Sequence, residues 1–499
     1  MRSMGRPPHV VTASIRGPAR VRLQEGLVEY EREPSSVSNL IARELQEMAA
    51  SSNWVASIDQ QIAGRLDALG GIAIPGARYQ LTMVPLDAGN MDLAYDRVAT
   101  RMLWYANHDL WSDLPPIRYT HEDLAAFRGA FQTINQQYAR AISVLCHRGS
   151  FVITHDYQLA TTPAFLRKWD PHTPVAHMSY TPFADTSSLS RLPPEVSLAV
   201  CQGMLAADLI GFTSQRWAEH FLSCVESIGG EVDRSVGSVE YSGRRSWVRS
   251  YPVWVDSTEI LRRASSEQSA LWAARARSMR PGPIIVRGDR LDPAKNALRG
   301  FHAFETVLER MPELRGKAQY IACLVPSRGT VPEYKWYGSQ VLKEVERINR
   351  RFPGSIRIYI GDDHERALGL LSRADVVVVN SVLDGMNLIA EEAVLVNNVN
   401  GVLVLSAKVG CADFLGEGAV LVADPRDVQS NADALTTALT MSLAERQRRA
   451  TTLRAAVSEA ESRLFRRLLA DLGRIQVGSR PETPWSPKPV AGLPHGVEE

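Results

Sequence analysis

Short, almost uninterrupted runs of β-branched and aliphatic residues recur along this chain, separated by longer stretches of helical periodicity. Val376-Val377-Val378-Val379 is the plainest of them. A strand with one wet face alternates apolar and polar residues. A strand without alternation is buried on both faces, and the usual cover is a layer of helices on each side of a parallel sheet. Residues 9–13, 151–154, 207–212 and 248–255 follow this pattern in the first half, and 283–286, 319–325, 356–360, 376–379 and 401–406 in the second. The chain therefore reads as α/β twice over, with two doubly wound Rossmann-like domains. Such sheets gather ligands at the C-terminal ends of their strands, so functional residues are expected directly after strands, around a central cleft.

A polar stretch rich in Ala, Arg and Ser ends in Arg280-Pro281-Gly282-Pro283, a breaker cluster ahead of a fresh strand. This divides the chain into an N-terminal domain over 1–256, a linker helix over 257–282 and a C-terminal domain over 283–441. Ser442 to Glu445 forms a capping-box signature, and Leu453, Val457, Leu464 and Leu468 recur at helical spacing. One long helix over 442–477 is expected to close the fold. Residues 478–499 carry closely spaced prolines and read as a disordered tail.

With 56 Lys+Arg against 55 Asp+Glu, overall charge gives no pull toward nucleic acid. No apolar run is long enough for a membrane span or a signal segment. Five widely spaced cysteines (Cys146, Cys201, Cys224, Cys323, Cys411) make neither a disulfide scaffold nor a thiolate zinc site and suit a reducing cytoplasm. Homo-oligomerisation stays open.

Two segments carry the chemistry. In Arg290-Leu291-Asp292-Pro293-Ala294-Lys295-Asn296, Asp292 is a good N-cap and Pro293 a good first helical residue. That places Lys295 in a first helical turn, where the macrodipole disfavours a cation. Two cations, Arg290 and Lys295, at one helix start make sense around a phosphate or diphosphate. After 376–379 comes Asn380 to Leu388, in which Gly385 permits a sharp turn into a helix bearing Glu391 and Glu392. Free amides there suit phosphate oxygens, and Glu392 suits ribose hydroxyls, although either carboxylate also complements the helix dipole. Asp156, in His155-Asp156-Tyr157-Gln158, follows a strand and suits sugar hydroxyls. Ser327-Arg328-Gly329 offers a further exposed arginine for an anion. The fingerprints GxGxxG, GxxxxGK[ST], HExxH, GxSxG and DxD are missing, so no resident metal or cofactor is expected.

Taken in order, Ile15-Arg16-Gly17-Pro18, Leu103-Trp104, His155-Asp156-Tyr157, Arg290-Leu291-Asp292, Lys295, Ser327-Arg328-Gly329, Asp384-Gly385-Met386-Asn387-Leu388 and 440–446 resemble the trehalose-6-phosphate synthase family, retaining glycosyltransferases of the GT-B fold. The Asp-Pro-x-Lys-Asn variant looks most like actinobacterial members, a branch that also resembles validoxylamine phosphate synthases, pseudo-glycosyltransferases joining a cyclitol to an amine. The resemblance implies a nucleotide diphosphate sugar (UDP- or GDP-linked) as donor and a sugar-phosphate-like acceptor. Arg290 and Lys295 would hold the diphosphate, Asp384, Gly385, Met386, Asn387 and Leu388 the donor sugar and phosphate, and Glu392 the ribose. Arg16, Tyr95, Trp104 and Arg328 would surround the acceptor phosphate, with Asp156 on acceptor hydroxyls.

The chain also departs from that pattern. The family's His-Ile-Pro segment reads Tyr180-Thr181-Pro182, its Gly-Gly-Leu loop reads Ser38-Asn39-Leu40, and Ile15, Gln158 and Trp254 replace an asparagine, a histidine and a glycine. Tyr180 donates a hydrogen bond but is no imidazolium at neutral pH. Three functions fit: glycosyl transfer, carbon–nitrogen coupling by a pseudo-glycosyltransferase, and nucleotide-sugar binding without catalysis.

Overall fold

The computed structural model of the protein describes residues 9–24, 27–32, 37–48, 52–66, 77–279, 281–459 and 464–475. The expected tail over 478–499 lies outside them. The chain divides into two compact units. The first comprises Met1–Asn107, Ile117–Tyr251 and Arg463–Glu499; the second comprises His108–Pro116 and Pro252–Ser462.

In the first unit the strands are β1 (His9–Ala13), the hairpin pair β2 (Ala19–Gln24) and β3 (Leu27–Arg32), β4 (Ser52–Asp59), β5 (Gln80–Leu86), β6 (Ser150–His155), β7 (Val175–Ser179), β8 (Leu209–Phe212), β9 (Glu231–Asp233), β10 (Ser238–Tyr241) and β11 (Arg244–Ser250). Nine of them form one sheet in the order β5-β4-β1-β6-β7-β8-β11-β10-β9, parallel as far as β11. In the second unit β12 (Ile284–Arg290), β13 (Gln319–Val325), β14 (Ile356–Ile360), β15 (Val376–Val379), β16 (Val402–Ser406) and β17 (Val420–Val422) form a fully parallel sheet in the order β14-β13-β12-β15-β16-β17.

Both orders place the first strand of the unit beside its fourth sheet strand. The chain winds outward from β12 through β13 and β14, then returns and winds the other way from β15. Loops leaving β12 and β15 therefore depart in opposite directions and open a crevice between them, as do those leaving β1 and β6. The burial that drives this is direct: each valine of β15 is at most 3% exposed, and Val10 and Val11 of β1 at most 1%.

The sequence pattern misses β2 to β5, β7, β9, β10 and β17. In β7 the run Val-Ala-His-Met-Ser looks polar, yet all five residues are buried, and His177 is accommodated because its Nδ1 lies 2.8 Å from Thr154 Oγ1 on β6. The strand expected over 248–255 instead spans Arg244–Ser250 and ends ahead of Pro252, which has no N–H for a ladder. The expected linker over 257–282 contains two helices, Ser257–Ala264 and Glu267–Met279, assigned to the second unit.

Of the closing helix expected over 442–477, the structure describes the helical spans Leu443–Glu459 and Leu464–Ile475, and 460–463 lie outside the described residues. Their apolar stripes serve different cores. Ala450, Leu453 and Val457 are buried in the second unit, whereas Leu464, Phe465, Leu468 and Leu472 are buried in the first. The buried Glu44 carboxylate accepts the Phe465 N–H at 2.7 Å, which meets a free amide and the positive end of that last helix. Among the described residues no helix is long and apolar enough to cross a membrane, and no three His, Cys, Asp or Glu side chains converge as a metal would require.

Candidate functional site

In the second unit β12 runs to Arg290, whose side chain is exposed. Asp292 then caps a single tight turn, Pro293–Lys295, accepting the Ala294 N–H at 3.0 Å. The next helix, Ala297–Arg310, starts only after Asn296, which adopts φ 62°. Lys295 thus belongs to a separate turn and not to the first turn of that helix, a correction to the expectation. Asn296 tolerates the left-handed conformation because its amide is anchored on the carbonyls of Asn380 (2.9 Å) and Pro425 (2.7 Å).

The Lys295 ammonium forms an ion pair with Asp384 on the loop after β15. Asp384 Oδ2 also accepts from Asn387 Nδ2 (3.0 Å) and Ser381 Oγ (3.3 Å). The residue that turns this loop into the helix Leu388–Val396 is Asn387, at φ 73°, and not Gly385 as expected. Met386 is buried, and Leu388 opens the helix. The loop is pinned from a second segment: Gly410 N–H donates to Asp384 O (3.1 Å) and Cys411 N–H to Met386 O (3.1 Å). A Cβ at Gly410 would stand 1.9 Å from Gly385 O, so only glycine fits there. Nothing in the sequence pattern marked Gly410.

Behind the loop Arg287 is fully buried and donates to Asp289 Oδ2 (2.7 Å), Lys295 O (2.5 Å) and Asn380 Oδ1 (3.2 Å). Its charge fixes the backbone that carries Lys295. Burial alone would raise Asp384, but Lys295 above all, together with His108 and Arg290, holds the carboxyl below its ordinary range. Asp384 is therefore an anion, able to accept hydrogen bonds from hydroxyl groups.

Arg328 departs from its expectation. Its side chain is 3% exposed and held by Asp292 Oδ2 at 2.6 Å, with the Tyr334 hydroxyl donating to the same oxygen at 3.1 Å. It is no exposed anion hook, because the fully buried Asp292 needs a cation. Burial would raise Asp292, and Arg328 followed by Arg290 holds it below the ordinary range. Glu392 is likewise buried, 2.9 Å from His364 Nε2. Arg263 donates to His364 Nδ1 at 2.6 Å, so the ring proton lies on Nε2 and points at Glu392. Its neighbour Glu391 accepts the Val255 N–H at 2.9 Å, and burial pushes it well above the ordinary carboxylate range.

In the first unit Arg16 follows β1, is exposed and donates to the Tyr95 hydroxyl at 3.4 Å. Tyr95 and Trp104 share the helix Leu93–Trp104, which is wound i→i+5. That winding takes more residues per turn than the ~3.6 of an α-helix. Two positions nine apart thereby return toward one face, where an α-helix would set them on opposite sides. Trp104 is buried, its ring 5.8 Å from that of Tyr157 beyond β6. Asp156 adopts φ 67° and ψ 168°, a region that glycine alone enters freely. Its Oδ1 accepts the Tyr180 N–H at 3.3 Å. The Tyr180 hydroxyl lies 2.9 Å from His155 Nδ1, and burial, Asp156 and Glu44 push the phenol well above its ordinary value. Ser38, Asn39 and Leu40 fall in the helix Val37–Met48. The Ile15 carbonyl accepts from Ser57 N–H and Oγ–H (3.2 and 2.7 Å), that of Gln158 from Asn135 (3.0 Å), and Trp254 packs edge-on against Phe414 at 5.2 Å.

The structure thus groups Arg290, Lys295 and 384–388 at the switch point of one sheet. Arg16, Tyr95, Trp104, Asp156 and Tyr180 cluster on the elements flanking the equivalent point of the other.

Comparison with known proteins gives the family and the fold. The family model described as Glycosyltransferase family 20 matches residues 8–470. A bifunctional trehalose-6-phosphate synthase/phosphatase of Thermoproteus tenax is 31% identical over 377 residues, covering 74% of this chain and 50% of that protein. The chain thus spans about half the length of that relative. A validamine 7-phosphate valienyltransferase of Streptomyces hygroscopicus subsp. jinggangensis is 28% identical over 422 residues, covering 81% of this chain and 82% of the relative. In fold, a UDP-forming alpha,alpha-trehalose-phosphate synthase structure from Burkholderia vietnamiensis superposes with a TM-score of 0.79 at 24% identity, covering 95% of this chain and 99% of that one. The two parallel-sheet α/β units are those of the GT-B fold, and the chain belongs to glycosyltransferase family 20.

Proposed function

We propose that the chain catalyses retaining transfer of a glycosyl group from a nucleotide diphosphate sugar, UDP-linked in the first instance, to a sugar-phosphate-like acceptor. The observation that carries this reading is the meeting of Arg290, Lys295 and Asp384 at the β12/β15 switch point. Arg290 and Lys295 supply positive charge for a diphosphate, Asp384 an anionic acceptor for sugar hydroxyls, and Glu392 a carboxylate for ribose. Arg16, Tyr95, Trp104 and Asp156 hold the acceptor, while Arg328 supports Asp292. With retention, the acceptor hydroxyl approaches the face that the diphosphate leaves. The departing phosphate oxygen takes its proton, so no protein base is needed. Catalysis is positioning plus stabilisation of leaving charge, which two cations provide without a metal.

A second reading rests on the valienyltransferase relative, matched along 82% of its own length at 28% identity. On this reading the donor of the present chain carries an unsaturated cyclitol and the nucleophile is an amine, and the same charges serve the leaving diphosphate.

Titration of UDP and UDP-glucose into the full chain and into Arg290→Ala and Lys295→Ala tests the donor half. The reading expects binding to the parent chain and at least tenfold weaker binding to each variant. Equal affinity in all three proteins would remove the diphosphate assignment.

A further inference from the structure

We infer that Thr12 and His155 are positioning residues that turn the Tyr180 proton outward. Tyr180 then serves as a hydrogen-bond donor to an oxygen acceptor, a ring hydroxyl of the transferred sugar or cyclitol. The inference deepens the proposed function and rests on it for the identity of that ligand.

Thr12 on β1 and His155 on the adjacent β6 meet through Oγ1 and Nε2 at 2.6 Å. The other ring nitrogen, Nδ1, lies 2.9 Å from the Tyr180 hydroxyl. The imidazole is fixed between two rings, stacked on Tyr180 at 5.7 Å and on Phe465 at 5.9 Å. His155 is 2% exposed, and burial pushes it down to about 3, so it is neutral with one N–H and one bare nitrogen.

A neutral imidazole between two hydroxyls allows two proton orders. In the first, Nε2–H donates to Thr12, and the Thr12 hydroxyl must find another acceptor. Thr12 is fully buried, and among the described residues His155 is its one side-chain hydrogen-bond partner. That order strands a buried donor. In the second, Thr12 O–H donates to Nε2 and Nδ1–H donates to the Tyr180 oxygen. The donor left unmatched in the ligand-free chain is then the phenol O–H of the partly exposed Tyr180, where a ligand can accept it, and not the hydroxyl of the fully buried Thr12. The opposite face of the sheet shows what removes the constraint. Thr154 also meets a histidine, His177 Nδ1 at 2.8 Å, but has the Ala176 carbonyl at 3.4 Å as an alternative acceptor.

The test uses the full chain, free of ligand, labelled with ring-15N histidine. Two-bond 15N–1H correlations report which nitrogen of each ring carries the proton. His155 is assigned by the loss of its signals in His155→Gln, or by their displacement in Tyr180→Phe should the first variant fail to fold. The expected result is a proton on Nδ1 and a bare Nε2. A proton on Nε2, or two averaged nitrogens, would overturn the inference. For the ligand contact, affinities for UDP and UDP-glucose are compared in the parent chain and Tyr180→Phe. UDP-glucose is expected to bind about five- to tenfold more weakly to the variant, with UDP unchanged. Equal affinity for UDP-glucose in both proteins would overturn the contact. Failure of the parent chain to bind either ligand is a failure of the donor reading, and the ring spectra still decide the proton order.

Discussion

Lys295 and Asp384 stand on loops that leave β12 and β15 in opposite directions, and their side chains form an ion pair across the switch point. The pair pre-positions a cation where a diphosphate is expected to bind and keeps Asp384 ionised. Lys295→Ala removes the cation and leaves a partly buried carboxylate behind. Turnover is expected to fall about 10²–10³-fold, the range for losing one charge-stabilising donor. Initial rates on protein whose melting curve shows it folded check this, and an unchanged rate would contradict it.

Arg328 distinguishes support from contact. Its guanidinium neutralises Asp292, which is 0% exposed, and packs over the Tyr334 ring at 5.3 Å. Arg328→Ala strands that buried carboxylate and is expected to cost about 3–5 kcal/mol of stability. Arg328→Lys should restore only part, since one ammonium cannot match the fork. Urea unfolding of the two variants measures this. A stability loss under about 0.5 kcal/mol in Arg328→Ala, the size of an ordinary surface change, would contradict it.

Asp156 carries backbone strain at φ 67° and ψ 168°. Glycine usually destabilises relative to alanine, but here the order reverses. Asp156→Gly relieves the strain, whereas Asp156→Ala keeps it, and both lose the contact to Tyr180 N–H. Asp156→Gly is expected to be about 1–3 kcal/mol more stable than Asp156→Ala, with both impaired in turnover. Thermal and urea midpoints decide the order, and the reverse order would contradict the strain.

Two buried histidines set an acid limit on the fold. Burial pushes His155 and His177 each down to about 3. Their folded values lie below the unfolded value of about 6.5, so the unfolded chain binds more protons between the two. Their contribution to stability is complete above about pH 6.5 and is lost as pH falls toward 3, at up to about 1.4 kcal/mol per pH unit for each. Urea midpoints measured from pH 4 to 8 should fall with acid, and the slope should flatten in His177→Gln. An equal slope in parent and variant would contradict the assignment.

The parallel sheets were legible because strands such as β15 are apolar without break, and Arg290 and Lys295 stood out as two cations at one strand end, although Lys295 sits in a separate turn and not in the following helix. What escaped depends on partners far along the chain. β7 looks polar until Thr154 meets His177. Arg328 looks exposed until Asp292 takes it. The turn expected at Gly385 is made by Asn387, whose amide, bonded to Asp384 and Ser381, holds the left-handed conformation. Gly410 acts on a loop that lies far from it in sequence. The apolar residues of 443–459 and 464–475 share a helical spacing, but the first span belongs to the second unit and the other to the first, which spacing alone does not reveal.

The central claim is transfer from a nucleotide sugar supported by Arg290 and Lys295. Its most direct test is to incubate the full chain, with EDTA present, with UDP- and GDP-glucose against glucose 6-phosphate and amino-cyclitol phosphates, and to identify products by mass spectrometry. The account predicts a disaccharide or pseudodisaccharide phosphate formed one-to-one with nucleoside diphosphate, with retained anomeric configuration by NMR where a glycosidic bond forms. Donor binding without any coupled product across the matrix, or nucleotide release with water as the sole acceptor, would contradict it.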